Sequence, residues 1–133
     1  MPDDRPGVLV TRSEFAHTLR RSGRLDEADP LYRETIGGWV HFGNRGAVAS
    51  QLENVAYLAI ERGRLEHATT LLGTAAMIRE VAGAQMAFDE QPELAGFVDR
   101  LRAALPSAAF ASAWAAGRAM SMTDAVAPAT ERA

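Results

Sequence analysis

Three histidines are the side chains in this sequence best suited to acid–base or metal chemistry. His17, His41 and His67 are too far apart for a metal-binding motif, and no two of them share one helical face with a carboxylate between them. We therefore predict histidines at the surface or at its boundary, with no metal site and no cofactor.

Carboxylates gather in three stretches, DDR, LDEAD and FDEQPE. Each stretch lies near a predicted helix start, where negative charge is stabilised by the positive end of the helix dipole. Helix capping is thus favoured over acid–base catalysis. The serines lack a Gly-x-Ser-x-Gly elbow. Because no nucleophile, base and binding group converge, we predict that the chain is not an enzyme.

Arg20, Arg21 and Arg24 crowd the end of the first predicted helix. Cations are favourable at this end of a helix dipole, which gives the cluster a structural explanation. A contact with a phosphate or an acidic peptide is the alternative.

Composition predicts a single folded domain of the soluble class. The chain has 133 residues, 47% of them hydrophobic, no cysteine and a net charge of −3. This charge gives no general attraction to nucleic acids or anionic membranes. The N-terminus lacks the basic and apolar regions of a signal peptide, and the apolar stretch Ala108–Gly117 is too short to cross a bilayer. We expect a cytoplasmic protein.

The elements that must position these side chains are almost all helices, because alanine, leucine, arginine and glutamate dominate and no alternating strand pattern occurs. Thr11–Glu14 matches a capping box, which predicts a first helix over about 11–22 after a flexible segment 1–10. Phe15, Ala16 and Leu19 form its predicted buried stripe.

Later helix boundaries are predicted from glycines, prolines and caps. A helix begins at Leu25, has Pro30 in its first turn, and either fades at Gly37–Gly38 or continues to Phe42. Further helices are predicted over about 47–62, 65–83, 91–105 and 107–118, and a short last helix runs from a second capping box at 121–124 to Pro128, before a frayed tail at 129–133.

A near-repeat, GRLDEA at 23–28 and GRLEHA at 63–68, recurs at a spacing of 40 residues. In each copy a glycine closes one helix, and leucine and alanine begin the apolar stripe of the next. The flanking apolar positions align without a gap: Phe15 with Val55, Ala16 with Ala56, Leu19 with Ala59, Ala28 with Ala68, and Tyr32 with Leu72. Residues 11–83 are therefore predicted to form two helical hairpins with a shared core.

The second copy resembles the tetratricopeptide repeat. The residues that carry the pattern are Leu52, Val55, Ala56, Ala59, Gly63, Ala68, Leu72 and Ala75. This resemblance implies an all-α solenoid of two tetratricopeptide-like hairpins, closed by a C-terminal capping set of two to three helices over 84–128. Trp114, at i+4 from Phe110, is predicted to plug the end, while Trp39 is assigned to buried packing, with an exposed contact surface as the alternative.

The C-terminal half resembles the closing segment of large bacterial LuxR-type or ATPase transcriptional regulators with tetratricopeptide arrays. The matching residues are Leu71, Leu72, Gly73, Ala76, Arg79, Phe110, Ala113, Trp114, Gly117, Arg118, Ser121, Ala125 and Val126. The resemblance implies a role in signal transduction. No Walker phosphate-binding loop or DNA-binding helix-turn-helix is recognised, so neither ATPase activity nor direct nucleic-acid binding is expected from these residues.

The resemblance also implies a binding surface, since the first helix of each tetratricopeptide hairpin lines a concave face. The outward positions there are Ser13, His17, Arg20, Ser50, Glu53 and Tyr57. We predict a non-catalytic module that binds a protein or peptide on this face. Self-association through the unpartnered face of helix one, at Phe15 and Leu19, is also predicted.

A small-molecule sensor is the alternative function. Its apolar pocket would lie between the repeats and the capping helices and would be lined by Met77, Met86, Phe88, Met120 and Met122. The same side chains could instead fill gaps in the core.

Overall fold

The computed structural model describes the backbone of residues 5–130 and the side chains of residues 5–127. This part of the chain folds into seven α-helices, so the all-α prediction is confirmed for it. In chain order the elements are α1 Pro6–Arg21, α2 Leu25–His41, α3 Arg45–Glu61, α4 Leu65–Ala82, a 3-10 turn Phe88–Glu90, α5 Gln91–Ala104, α6 Ser107–Ala119 and α7 Met122–Thr130.

The repeated phrase builds the same corner twice. Gly23 and Gly63 have φ angles of +82° and +78°, a left-handed conformation that glycine adopts without steric cost. The Gly23 N–H donates to the Arg20 carbonyl and the Gly63 N–H donates to the Ile60 carbonyl, both at 3.0 Å. The chain therefore reverses direction at both places, and the predicted glycine stops are confirmed.

The predicted start of the first helix is wrong. The helix begins at Pro6, where the fixed φ of proline suits a first turn. Thr11 lies inside this helix, and its hydroxyl donates to the Gly7 carbonyl at 3.1 Å, so the predicted capping box does not form. Residues 6–10 are helical, and residues 1–4 of the segment predicted to be flexible lie outside the described residues.

Two prolines lie deeper in helices than predicted. Pro30 is inside α2, beyond its first turn, and α2 continues without a break through Gly37 to His41. Pro128 does not end the last helix, which extends to Thr130. The predicted frayed tail therefore overlaps α7 at 129–130, and its residues 131–133 fall outside the described range.

Both residues of every aligned pair of the two copies are buried, except in the first pair. Ala16, Ala28 and Tyr32 are buried, as are their counterparts Ala56, Ala68 and Leu72. Phe15 is 57% exposed, so its predicted burial is wrong. The inward stripe of α1 contains Leu9, Ser13, Ala16 and Arg20, and Phe15 lies one residue off this stripe.

The first four helices pack on one another in chain order, and the C-terminal helices pack against them. Helix α1 packs on α2, α2 on α3, and α3 on α4, while α6 packs along α4 and α7 contacts α2. A Cβ atom on Gly38 would lie 2.4 Å from Leu9, so the missing side chain at Gly38 lets α1 approach α2 closely. The predicted second cap is confirmed, since the Asp124 N–H donates to the Ser121 hydroxyl at 3.1 Å.

Two glycines allow α6 to lie directly against α4. A Cβ on Gly117 would lie 2.0 Å from the Thr70 carbonyl oxygen, and a Cβ on Gly73 would lie 2.4 Å from that of Trp114. The Thr74 hydroxyl donates to the Gly117 carbonyl at 2.7 Å across the same contact. Trp114 is half-buried and stacks on Phe110, with ring centroids 5.9 Å apart.

Within residues 5–130, no helix is both long enough and apolar enough to cross a bilayer.

Candidate interaction groove

A groove of about 450 Å³ lies between α1, α3 and the connection that leads into α5. We call it the α1–α3 groove and define it by Val10–Arg21 of α1, Ala47–Tyr57 of α3 and Met86–Glu93. Ser13, His17, Ser50, Glu53 and Tyr57, five of the six positions predicted for the concave face, line this groove. The sixth, Arg20, lies beneath it. The structure thus brings the predicted residues together.

Their predicted outward orientation is largely wrong. Ser13, Arg20, Glu53 and Tyr57 are buried, and only His17 and Ser50 remain half-exposed. Ser13 is covered by Trp39 of α2, and Glu53 is paired with Arg79 of α4. Helix α5 covers the other two, because Glu93 contacts Arg20 and Phe97 stacks on Tyr57. Sequence reasoning treated residues 84–128 as an end cap, and so it did not place α5 here.

Arg20 joins three helices beneath the groove. Its Nε donates to Asn54 Oδ1 of α3 at 2.8 Å, and its Nη2 donates to Glu93 Oε1 of α5 at 2.9 Å. The guanidinium also lies 5.0 Å from the ring centroid of Tyr57, within cation–π range. A buried guanidinium needs such partners to offset its lost hydration, so Arg20 fixes the three helices relative to one another.

The arginines predicted as an anion site are paired with carboxylates of the chain itself. Arg20 and Arg21 both contact Glu93, at 2.9 and 3.7 Å. Arg24 donates to the carboxylate of Glu27 instead. The three guanidinium groups therefore do not converge on one free anion site.

Tyr57 has a buried ring and presents its hydroxyl to the groove. Its ring stacks on Phe97 at 4.2 Å between centroids, with an interplanar angle of 11°, and only 2% of the residue is exposed. Burial, helped by the nearby carboxylates of Glu53 and Glu93, raises the pKa of this hydroxyl, which stays protonated at neutral pH.

The Tyr57 hydroxyl has no hydrogen-bond partner among the described residues. In that part of the chain, no fully buried side-chain oxygen or nitrogen is left unpaired. The hydroxyl must therefore reach the groove that Tyr57 lines. Gln51 is 2% exposed and also lines the groove. One end of its side-chain amide lies 2.6 Å from the Thr35 hydroxyl, and the other end has no partner within residues 5–130.

A buried ion pair holds the connection against α3. Arg79 donates to both carboxylate oxygens of Glu53, at 2.7 and 2.9 Å, and to the Ala84 carbonyl at 3.3 Å. Burial raises the pKa of Glu53, while the hydrogen bonds from Arg79 oppose this shift. Both carboxylate oxygens are thus occupied by a structural partner.

His17 is half-buried, whereas His41 and His67 are exposed, so the predicted surface or boundary placement is confirmed for all three. The Nδ1 of His17 lies 2.6 Å from the Tyr32 hydroxyl. Burial, together with the charge of Arg21, lowers the pKa of His17, which is neutral at pH 7. Burial raises the pKa of Tyr32 to about 12.

Ser13 and Trp39 also line the groove. The Trp39 indole N–H donates to the Ser13 hydroxyl at 3.1 Å, and Trp39 is buried. The assignment of Trp39 to packing is therefore confirmed, and Ser13 is turned toward the indole.

The groove is electronegative. The acidic residues that line it outnumber the single arginine, Arg21; they are Glu14, Glu53, Asp89, Glu90 and Glu93. Glu53 and Glu93 are neutralised by ion pairs with arginine. Glu14, Asp89 and Glu90 are exposed and form no ion pair with any described residue. Sequence reasoning assigned these three acids to helix capping, and only the fold brings them to one groove.

No group of three or more potential metal ligands occurs among the described residues.

The five side chains predicted to line a sensor pocket do not meet in one cavity. Met77, Met120 and Met122 line a shallow pocket of about 250 Å³ between α4 and the start of α7. Met86 instead lines the α1–α3 groove, and Phe88 is 87% exposed. The predicted single apolar pocket is therefore wrong.

No protein-family model, curated protein or solved structure matches this chain. The groove is therefore interpreted from its own geometry.

Proposed function

We propose that this chain is a non-catalytic interaction module whose α1–α3 groove binds a segment of a protein partner. The observation that carries this proposal is Tyr57, whose ring is packed against Phe97 while its hydroxyl reaches the groove surface and makes no hydrogen bond to the described residues. A ligand that supplies a hydrogen-bond partner there binds to a group that its packed ring already holds in place. Helical grooves of this kind suit extended or helical peptides.

The groups that could do chemistry are tied to structural partners, which supports a non-catalytic role. Glu53 is held by Arg79, His17 lies against Tyr32, and Ser13 accepts from Trp39. A catalytic base must instead be free to reach the proton that it abstracts.

The two similar turns at Gly23 and Gly63 and the paired core positions support a tetratricopeptide-like arrangement of the first four helices. On this basis, and from the resemblance of the C-terminal half, we propose that the chain corresponds to the closing segment of a bacterial transcriptional regulator of the LuxR or ATPase type. The module would there act in cytoplasmic signal transduction by holding a partner protein.

Selection from a random peptide display library on the purified chain tests the proposal. Selected peptides are then measured by fluorescence anisotropy against two variants. Ser50→Arg places a long side chain in the groove, whereas Ser112→Arg makes the same substitution at an exposed position of α6 outside it. We expect Ser50→Arg to weaken binding at least about tenfold, while Ser112→Arg leaves the affinity unchanged. A library that yields no binder, or binders that tolerate both variants equally, would overturn the proposal.

Self-association is a second candidate, favoured by one exposed aromatic side chain of α1. Phe15 is 57% exposed and does not line the α1–α3 groove. Leu19, which was predicted to share this face, is buried and unavailable to a partner. Sedimentation equilibrium of the wild type and of Phe15→Ser tests this candidate. A dimer that Phe15→Ser dissociates would support it, and a monomer at high concentration would exclude it.

A further inference from the structure

We propose that the partner segment enters the α1–α3 groove with a cationic side chain, an arginine or a lysine. This inference rests on the proposed function and names the chemistry of the partner. It is carried by two independent features of the groove: its unpaired negative charge, and the polar ends of two otherwise buried side chains, Tyr57 and Gln51, which reach its surface without a partner among the described residues.

The charge comes from separate segments that meet at the groove. Glu14 belongs to α1, while Asp89 and Glu90 belong to the 3-10 turn. All three are exposed, line the groove and lack ion pairs with the described residues. Like charges gathered in one concave surface repel one another and create a field that attracts a cation. A cationic side chain in the groove relieves this repulsion.

The polar groups that Tyr57 and Gln51 present to the groove fit a peptide that carries such a side chain. The neutral Tyr57 hydroxyl can accept a hydrogen bond from an ammonium or a guanidinium group. The end of the Gln51 amide that does not face Thr35 can pair with a backbone group of the same segment. A peptide with a basic residue supplies both the cationic donor and the backbone group, whereas a simple amine supplies only the donor.

The groove suits an organic cation better than a bare ion. The described residues contain no cluster able to hold a metal ion, and the volume of about 450 Å³ is far larger than an ion needs. Val10 and Met86 add apolar surface to the lining. The methylene stem of an arginine or lysine packs on such surface while its charged head reaches the polar groups.

The test uses three short capped peptides that are identical except for one repeated position, filled with arginine, glutamine or glutamate. Their affinities for the full chain are measured by isothermal titration calorimetry at low and at physiological salt. Binding is located from the backbone amide shifts of α1 and α3 in two-dimensional NMR spectra. We expect the arginine peptide to bind in the groove, more weakly at higher salt, and the glutamate peptide not to bind.

Two charge-matched double variants separate groove charge from net charge. Glu14→Gln with Asp89→Asn removes two groove carboxylates, and Glu66→Gln with Asp99→Asn removes two exposed carboxylates outside it. We expect the first pair to weaken binding of the arginine peptide about tenfold and the second pair to change it less than about twofold. Tyr57→Phe, which keeps the ring stack, is expected to weaken binding about fivefold with an unchanged circular dichroism spectrum.

The results also distinguish this inference from the proposed function. If the glutamine or glutamate peptide binds as tightly as the arginine peptide, and Ser50→Arg abolishes that binding, the groove binds peptides but the cationic inference is overturned. Equal effects of the two double variants would overturn it as well. If none of the three peptides binds, the inference fails, and the display selection decides the proposed function separately.

Discussion

Replacing Gly117 by alanine tests the packing that holds the C-terminal helices in place. The added Cβ would lie 2.0 Å from the Thr70 carbonyl oxygen, 2.9 Å from its carbon and 3.0 Å from the Thr74 nitrogen. All three neighbours are backbone atoms, so no change of rotamer relieves the clash. Helix α6 must move away from α4 by more than about 1 Å, which breaks the hydrogen bond from Thr74 to the Gly117 carbonyl.

The magnitude follows from three contributions. Overpacking costs about 1–3 kcal/mol, and the lost hydrogen bond costs about 1 kcal/mol. The better helix propensity of alanine returns about 0.5–1 kcal/mol. We therefore expect Gly117→Ala to lower the free energy of unfolding by about 1–3 kcal/mol, measured by urea denaturation followed by circular dichroism.

Gly96→Ala is the matched control. Gly96 lies inside α5, and a Cβ there would meet no atom within 4 Å. This variant gains helix propensity without a clash, so we expect it to raise the free energy of unfolding by about 0.5–1 kcal/mol. If Gly117→Ala proved as stable as Gly96→Ala, α6 could not lie against α4 as described.

Three further predictions concern the residues around the groove. Arg20→Met should lower the free energy of unfolding by about 2–4 kcal/mol, because it leaves the partners of a buried guanidinium unpaired. Arg24→Met, at an exposed ion pair, should change it by less than about 1 kcal/mol. Urea titrations measure both variants, and equal effects would contradict the buried role of Arg20. Glu53→Gln should cost about 3 kcal/mol by the same assay, since Arg79 then loses its anionic partner, and a near-neutral result would refute the ion pair. The pKa of His17 lies below 6.5 in the folded state, so the unfolded chain takes up the proton first as the pH falls. Stability is therefore full above pH 6.5 and decreases below it, by at most about 1.4 kcal/mol per pH unit from this residue. Urea titrations from pH 7 to 5 should show a shallower loss in His17→Gln, and an unchanged slope would contradict this reasoning.

Features fixed by local chemistry could be predicted from the sequence. Gly23 and Gly63 adopt the expected left-handed turns because glycine alone tolerates them freely. The start of α5 at Gln91 agrees with a proline in the first turn, and the Ser121 cap forms as expected. At the N-terminus two local signals disagree. The capping box predicts a helix start at Thr11, whereas the helix begins at Pro6.

Features set by distant contacts could not be predicted. Arg20 and Glu93 are separated by 73 residues, and no periodicity in either helix indicates that they meet. The burial of Tyr57 depends on Phe97, which reaches it only because α5 crosses the face of α3. The sequence therefore identified five of the side chains that line the groove. It predicted neither the burial of Ser13, Glu53 and Tyr57 nor the acidic residues from the other wall.

The central claim is that the α1–α3 groove holds a segment of a partner protein. The measurement that tests it most directly is the ratio of peptide affinities for Ser50→Arg and Ser112→Arg, determined by fluorescence anisotropy with peptides selected on the wild type. The two variants carry the same substitution and differ in whether it fills the groove. We predict that Ser50→Arg binds at least about tenfold more weakly than Ser112→Arg. A ratio close to one would contradict the claim, because the peptides would then bind elsewhere on the chain.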